Sequence, residues 1–239
     1  MSVDNIINEF IDKLAEEEDA FPYLYNANKK IFNVEKDWVF YSGPVWDIEE
    51  PREAIKAFIK GRWLASGENV YRFEKAFSKK HGFGASLMVN SGSSANLVMI
   101  AALKKYMDWR DGDEVVVSPV GFPTTIAPLI QNTLTPVFAD IDLEDLNFDL
   151  SKVEEAITSK TKAIFISPVL GNPPDMDDLQ HLAQEKNLML ILDGCDSLGS
   201  KWRGRDLSDY TYASSCSFYP AHHITTGEGG MVSSNDEDF

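Results

Sequence analysis

The segment Asn90–Asn96, NSGSSAN, has the composition of a phosphate-binding turn between a strand and a helix. Gly92, Ser93 and Ser94 offer backbone N–H groups and two hydroxyl groups at the positive end of the following helix, and such helix ends bind anions. The lysine of a P-loop is missing, so the segment is not a Walker-type loop. The alternative is a serine that only caps a buried helix.

Two further predicted strand ends carry side chains suited to a flat ring that contains nitrogen. Asp193 directly follows an apolar strand. Because an unpaired buried carboxylate is costly, we expect it to face a cation such as a protonated pyridine nitrogen. Asp196 follows three residues later and can reach the same side of the loop. Phe122, in GFPTT, either stacks on such a ring or covers the core. A magnesium site at Asp193 is the competing interpretation, although no suitable acidic cluster accompanies it.

The segment Ser217–Gly230, SFYPAHHITTGEGG, contains two of the four histidines of the chain. A phosphate seat, an aromatic partner and an aspartate for a ring nitrogen are what pyridoxal phosphate needs from a protein, together with a lysine that binds it covalently. We expect that lysine after the next strand, where this segment lies. The segment has His222 instead, and Lys160, Lys162 and Lys201 lie outside it.

These segments belong to a region that alternates short apolar strands with helices. ASLMV, EVVVS, PVFADI, KAIFIS, LMLILD, SSCSFY and GGMVSS are typical of strands, and helical patterns separate most of them. Strands that are almost entirely apolar predict an α/β fold, with a mostly parallel sheet between two layers of helices. In such sheets the ligand binds beyond the C-terminal ends of the strands, which is where the polar segments above are found.

The pattern upstream of this region is different. Apolar residues on one face of a helix open the chain, and residues 21–50 are irregular, with several prolines. Helical patterns follow, and no linker interrupts the rest of the chain. We therefore expect an N-terminal helix and irregular arm over residues 1–50, and one ligand-binding domain over residues 51–239.

The composition limits the classes of partner. A net charge of −16, from 22 basic and 38 acidic residues, repels nucleic-acid phosphates, so no nucleic-acid surface is expected. No apolar run approaches the roughly 18 residues of a membrane span, and no basic patch precedes an apolar run at the N-terminus. Two cysteines are too few for a disulfide framework and indicate a reducing compartment. We expect a cytoplasmic protein without membrane association.

The motifs, taken in order, resemble a known family. SGSSAN, GFPTT, D-x-x-D-S-L-G and SF-x-P-x-x-x-x-T-x-G-E-G-G are similar to the segments of the DegT-type sugar aminotransferases, over about residues 40–239. The resemblance implies the aspartate aminotransferase fold, that is, the large domain of a type I PLP-dependent transferase. Most members carry lysine where this chain has His222. The small histidine-substituted branch includes a GDP-4-keto-6-deoxymannose 3-dehydratase and the CDP-4-keto-6-deoxyglucose 3-dehydrases, which this chain resembles most.

The resemblance implies that pyridoxamine 5′-phosphate or pyridoxal 5′-phosphate is held non-covalently. It implies dehydration at carbon 3 of a nucleotide-linked 4-keto-6-deoxyhexose, preferably CDP-linked, in deoxysugar or lipopolysaccharide biosynthesis. His222 would be the catalytic base, since an imidazole is largely neutral near pH 7. His223 would pack or give a supporting hydrogen bond. The residues expected to bind the cofactor are Gly92, Ser93, Ser94, Phe122, Asp193, Asp196 and Ser217.

The CDP-sugar enzymes also hold an iron–sulfur cluster, and Cys195 in DGCD matches its first cysteine ligand. Four thiolates are the usual ligands, whereas the only other cysteine here is Cys216. A [2Fe–2S] cluster is therefore expected only if further cysteines follow Phe239. The resemblance also implies a homodimer, an iron–sulfur flavin reductase as partner, and a smaller C-terminal domain, which this sequence lacks. The alternative is a transaminase-fold protein or fragment that binds a cofactor or partner without catalysis.

Overall fold

The computed structural model describes a chain of two compact units. The described residues are 1–17, 20–21, 33–35, 38–39, 42–63, 65–236 and 238–239. The units are Met1–Arg72 and Phe73–Phe239. Much of the irregular arm expected before residue 50, including residues 22–32, lies outside the described residues. The domain boundary predicted after residue 50 stays a prediction.

Two helices of the first unit, which also contains the start of a third, are joined by ion pairs. They are α1, Val3–Ala15, and α2, Glu49–Lys60. The guanidinium group of Arg52 in α2 is buried and donates a hydrogen bond of 2.7 Å to Asp12 in α1. It also donates to Glu49 at 3.0 Å. The ion pair with Asp12 connects α2 to α1, whereas Glu49 lies in α2 itself and orients the guanidinium group.

The second unit alternates strands and helices in the predicted order. After α3, Glu68–His81, the elements are β1 Ala85–Val89, α4 Gly92–Tyr106, β2 Glu114–Val117, α5 Pro123–Gln131, β3 Thr135–Phe138, α6 Leu150–Ala156, β4 Thr161–Ile166, a 3₁₀ helix Val169–Gly171, α7 Met176–Glu185, β5 Met189–Asp193, β6 Lys201–Trp202, β7 Arg205–Asp206, a 3₁₀ helix Leu207–Asp209, β8 Ala213–Ser217 and β9 Gly230–Ser234. None of the helices in the described parts of the chain is long and apolar enough to cross a membrane.

Seven of these strands form one sheet, in the order β1-β9-β8-β5-β4-β2-β3. Strand β9 runs antiparallel to both of its neighbours, β1 and β8, and the other pairings are parallel. The C-terminal ends of six strands therefore meet at one edge of the sheet. Strands β6 and β7 form a separate antiparallel hairpin, which the sequence pattern did not predict.

Both faces of the sheet are buried, as the apolar strands predict. Val115 and Val117 of β2 pack in one core with Met99 of α4. Val116, whose side chain points to the opposite face, packs in a second core with Leu179 of α7. Side chains of a strand alternate between its faces, so a strand that is apolar at every position must be covered on both sides. The predicted α/β fold with a mostly parallel sheet between helices is confirmed.

Candidate active site

The N-terminus of α4 lies at the edge of the sheet where the strands end. Ser91 is the N-cap of this helix, and its hydroxyl accepts a hydrogen bond from the amide of Ser94 at 3.1 Å. The amides of Gly92 and Ser93 precede the first intrahelical bond, which runs from Ala95 to the Ser91 carbonyl. The hydroxyl of Ser93 is exposed and donates to Thr124 in α5 at 3.2 Å. The geometry is compatible with both predictions for this turn, a phosphate-binding site and a helix cap. Capping by Ser91 leaves two amides available to an anion.

Gly92 brings three segments into close contact. A Cβ atom at this position would lie 2.5 Å from Ser217 Cβ, at the end of β8, and 2.8 Å from Cys195 Sγ, in the loop after β5. Only glycine fits at these distances. The close approach places the Ser217 side chain beside the first turn of α4. Ser217 is buried, and its hydroxyl accepts a hydrogen bond from the amide of Tyr219 at 3.3 Å.

Asp193, the last residue of β5, is only 4% exposed and accepts four hydrogen bonds. Its Oδ2 accepts from Asn96 Nδ2 at 2.8 Å and from Thr125 Oγ1 at 2.6 Å. Its Oδ1 accepts from the amide of Cys195 at 3.2 Å and from Ser215 Oγ at 3.3 Å. These donors offset the cost of burying the carboxylate. Sequence reasoning found the aspartate but missed Asn96 and Thr125, although both lie within the NSGSSAN and GFPTT motifs.

Phe122 is the N-cap residue of α5 and has an extended backbone. Its side chain is 64% exposed, so the alternative in which it covers the core is wrong. The fixed backbone angle of Pro123 at the first helical position starts the helix immediately after it. An exposed aromatic ring at the edge that carries Asp193 can stack on a flat ligand.

His222 lies in the loop after β8, beside Asp196 of the loop after β5. The imidazole Nδ1 is 3.4 Å from Asp196 Oδ1, and the His222 side chain is 21% exposed. Its ring packs edge-on against Tyr219, with centroids 6.3 Å apart. The sequence predicted that Asp196 binds a cofactor, whereas the structure gives it a direct contact with the imidazole. His223, by contrast, is exposed.

The lysines considered in the sequence lie outside this group of residues. Lys160 and Lys162 flank the start of β4, so they belong to the edge of the sheet opposite its C-terminal ends. Lys162 lies 3.8 Å from Asp113. Lys201 forms an ion pair of 2.9 Å with Asp206 across the β6–β7 hairpin. None of these three amines accompanies His222 and Asp193.

The two thiols are held in their protonated form. Burial, and then the neighbouring charge of Asp193, raises the pKa of Cys195 far above its ordinary value. Burial raises the pKa of Cys216 to about 12. Among the residues that the structure describes, no group of three or more histidine, cysteine, aspartate or glutamate side chains could hold a metal ion. The described residues therefore do not fit an iron–sulfur cluster, and the assignment of Cys195 as a ligand finds no support. The magnesium alternative at Asp193 is not supported either.

A family model matches most of the chain. The model for the DegT/DnrJ/EryC1/StrS aminotransferase family covers residues 46–239. The chain belongs to this family. The match includes every element of the candidate active site, from the N-terminus of α4 to the loop that carries His222.

The names of individual relatives refer to sugar-nucleotide 3-dehydratases and to lipopolysaccharide biosynthesis. The chain is 42% identical over 195 residues to the dTDP-4-dehydro-2,6-dideoxy-D-glucose 3-dehydratase of Saccharopolyspora spinosa, which covers 80% of this chain and 42% of the relative. It is also 42% identical over 195 residues to the lipopolysaccharide biosynthesis protein RfbH of Salmonella typhimurium. That alignment covers 80% of this chain and 44% of the relative. A solved structure of E. coli GDP-4-keto-6-deoxy-D-mannose-3-dehydratase with bound hydrated PLP superposes with a TM-score of 0.78 at 35% identity. The superposition covers 84% of this chain and 52% of that structure's chain. This chain thus spans about half the length of these relatives.

The residues at the edge of the sheet fit a pyridoxal phosphate type of cofactor. Gly92 lets the Ser217 side chain lie beside the first turn of α4, because any Cβ atom at this position would clash with it. The adjoining helix end suits a phosphate, and the buried carboxylate of Asp193 suits a ring nitrogen. The fold brings these features together, because the strands that precede them end at the same edge of the sheet.

Proposed function

We propose that this protein binds pyridoxamine 5′-phosphate or pyridoxal 5′-phosphate non-covalently and supports dehydration at carbon 3 of a nucleotide-linked 4-keto-6-deoxyhexose. The observation that carries the proposal is His222, which lies beside Asp196 in the segment where the family resemblance implies a lysine. A histidine cannot bind the cofactor covalently as that lysine does. Deoxysugar biosynthesis, including that of lipopolysaccharide, is the proposed biological setting.

The residues that would hold the cofactor fall into two groups. The amides and hydroxyls of the first turn of α4, from Gly92 to Ser94, together with Ser217, would bind the phosphate. Phe122 would cover one face of the ring, and Asp193 would accept a hydrogen bond from its nitrogen. When bound, the cofactor would supply an amine that condenses with a keto group and a ring that takes up the electron pair left when a proton is removed and returns it as a neighbouring C–O bond breaks and hydroxide leaves.

His222 would act as the base, with Asp196 as its orienting partner. A carboxylate near Nδ1 stabilises the tautomer in which Nδ1 carries the proton, so that Nε2 is left to accept one. This is the arrangement of a general base with a third group that orients it. In this proposal Asp196 acts through the imidazole, in addition to or instead of contacting the cofactor.

The substrate nucleotide and the partners are further parts of the proposal. The resemblance in the motifs favours a CDP-linked sugar, whereas the names of two relatives refer to dTDP and GDP sugars. A homodimer and a reductase partner are implied by the resemblance alone. An iron–sulfur cluster is not proposed, because the thiols of this chain do not fit one.

The experiment is a conversion assay on the chain supplied with pyridoxamine 5′-phosphate. GDP-, dTDP- and CDP-linked 4-keto-6-deoxyhexoses are offered separately, and mass spectrometry detects the sugar that has lost its carbon 3 oxygen. General bases contribute about 10²- to 10⁴-fold, so His222→Asn is expected to slow conversion by that factor. His223→Asn is the matched control and should convert at the parent rate, because its side chain is exposed and outside the proposed site.

Conversion of one nucleotide series in preference to the others would identify the substrate. Cofactor binding without conversion of any of the three sugars would overturn the dehydratase proposal. That result would favour the alternative of a cofactor-binding protein without catalysis.

A further inference from the structure

Two side chains that have no role in the proposed chemistry hold the Asp193 carboxylate, and they come from two different helices. Asn96 is in the second turn of α4, and Thr125 is in the first turn of α5. Both donate to the same oxygen, Oδ2, at 2.8 and 2.6 Å. All three side chains are buried: Asn96 is 1% exposed, and Thr125 and Asp193 are each 4% exposed. Hydrogen bonds to a carboxylate at such distances are among the strong ones.

Asn96 is a poor choice for stability alone. Its amide nitrogen donates to Asp193, but its Oδ1 is buried and has no hydrogen-bond partner among the described residues. An unsatisfied buried amide oxygen costs stability, whereas leucine, whose side chain has the same number of heavy atoms and the same branching, carries no such cost. The opposite orientation of the amide would place its oxygen against the carboxylate. A locally unfavourable residue that makes one specific contact is what a functional constraint produces.

The contacts also connect the part of the site that would bind the phosphate with the part that would bind the ring. Helix α4 carries the phosphate seat in its first turn and Asn96 about one turn further in. Helix α5 begins directly after Phe122, the proposed ring partner, and carries Thr125 in its first turn. The elements that would hold the phosphate and the ring face therefore also fix the carboxylate.

We infer that Asn96 and Thr125 are positioning residues that hold the Asp193 carboxylate where it can serve the cofactor ring nitrogen. The inference rests on the proposed function. Because both donors form their hydrogen bonds to Oδ2, they fix the plane of the carboxylate group. Ser215 and the Cys195 amide, at 3.3 and 3.2 Å from Oδ1, complete the set with longer contacts.

The test uses the full chain and pyridoxal 5′-phosphate as the probe. Thr125→Val removes the donor at nearly constant volume, and Thr125→Ser keeps it. Thr211→Val is the matched control: Thr211 is a buried threonine whose hydroxyl donates to Leu207, and it has no part in the site. Cofactor affinity, the pH at which the absorbance of the bound cofactor changes, and the melting temperature are measured for each variant.

Thr125→Val is expected to weaken cofactor binding about tenfold, equivalent to about 1.4 kcal/mol. The absorbance change of the bound cofactor is expected to move to lower pH, since a displaced Asp193 stabilises a protonated ring nitrogen less well. Thr125→Ser should restore both values. Thr211→Val should lower the melting temperature without changing either of them. Asn96→Leu is expected to follow Thr125→Val in both cofactor measurements.

Two results would overturn the inference, and they are distinguishable. If Thr125→Val and Asn96→Leu bind and titrate like the parent and differ only in melting temperature, these residues are merely structural and the cofactor site stands. If the parent chain itself does not bind pyridoxal 5′-phosphate, the proposed function fails together with the inference.

Discussion

Replacing Gly230 with alanine is expected to destabilise the protein through a contact with the backbone. Gly230 begins β9 and lies against the turn that precedes α4. A Cβ atom there would lie 2.2 Å from the carbonyl oxygen of Ser91 and 2.8 Å from the amide nitrogen of Gly92. These neighbours are backbone atoms, which cannot rotate away as the end of a flexible side chain can. The Ser91 carbonyl also accepts the first intrahelical hydrogen bond of α4, from Ala95 at 2.9 Å.

Two opposing effects set the size of the change. Overpacking typically costs about 1–3 kcal/mol, and contacts this short with backbone belong at the upper end of that range. Alanine in a strand gains about 0.5–1 kcal/mol over glycine. The overpacking cost prevails, and the free energy of unfolding should fall by about 2 kcal/mol. For a chain of this length that corresponds to a melting temperature lower by about 4–8 °C.

The assay is thermal unfolding followed by circular dichroism, with cofactor affinity measured in parallel. Gly43→Ala is the matched control, because a Cβ atom at Gly43 meets nothing within 4 Å and should change stability by less than about 0.5 kcal/mol. Gly230→Ala should also bind the cofactor more weakly, because the displaced Ser91 turn forms the phosphate seat. A Gly230→Ala protein that melts at the parent temperature and binds the cofactor equally well would refute this reasoning.

Three further predictions concern other groups. Ser91→Ala removes the N-cap of α4 and should lower the free energy of unfolding by about 1 kcal/mol in urea titrations; an unchanged midpoint would contradict the capping role. Burial lowers the pKa of His81. Stability should therefore fall as pH drops below about 6.5, where the unfolded state binds the proton first. His81→Gln should reduce this loss of stability at low pH. A variant whose stability depends on pH as the parent's does would contradict the prediction. At pH 8 iodoacetamide should leave the protonated thiols of Cys195 and Cys216 unmodified until urea is added, and rapid labelling of the folded chain would contradict the raised pKa values.

The sequence predicts the main strands and helices because runs of apolar residues mark the strands and helical periodicity marks the segments between them. Strands such as β2, with Val115, Val116 and Val117 in succession, can only be buried on both faces, and the sheet has this property. The antiparallel direction of β9 could not be predicted, because the strand pattern is the same for both directions. The β6–β7 hairpin was missed because strands of two residues carry no periodicity.

The candidate site was predicted at the level of strand ends and motifs but not of contacts. Asp193 could be selected, since a carboxylate after an apolar strand needs a partner. Its partners Asn96 and Thr125 lie 97 and 68 residues away along the chain, and only the assembled sheet brings them together. The contact between His222 and Asp196 likewise joins two loops whose proximity depends on β5 and β8 being neighbours.

The central claim is that His222 occupies the place of a covalent cofactor lysine. The most direct measurement adds one equivalent of pyridoxal 5′-phosphate, reduces with borohydride and maps the modified peptides by mass spectrometry. The parent chain should bind the cofactor and carry no covalent label within the site. His222→Lys should become labelled at position 222 and acquire the absorbance of a covalently bound cofactor. Specific labelling of a native lysine in the parent, or no labelling of His222→Lys despite cofactor binding, would contradict the claim.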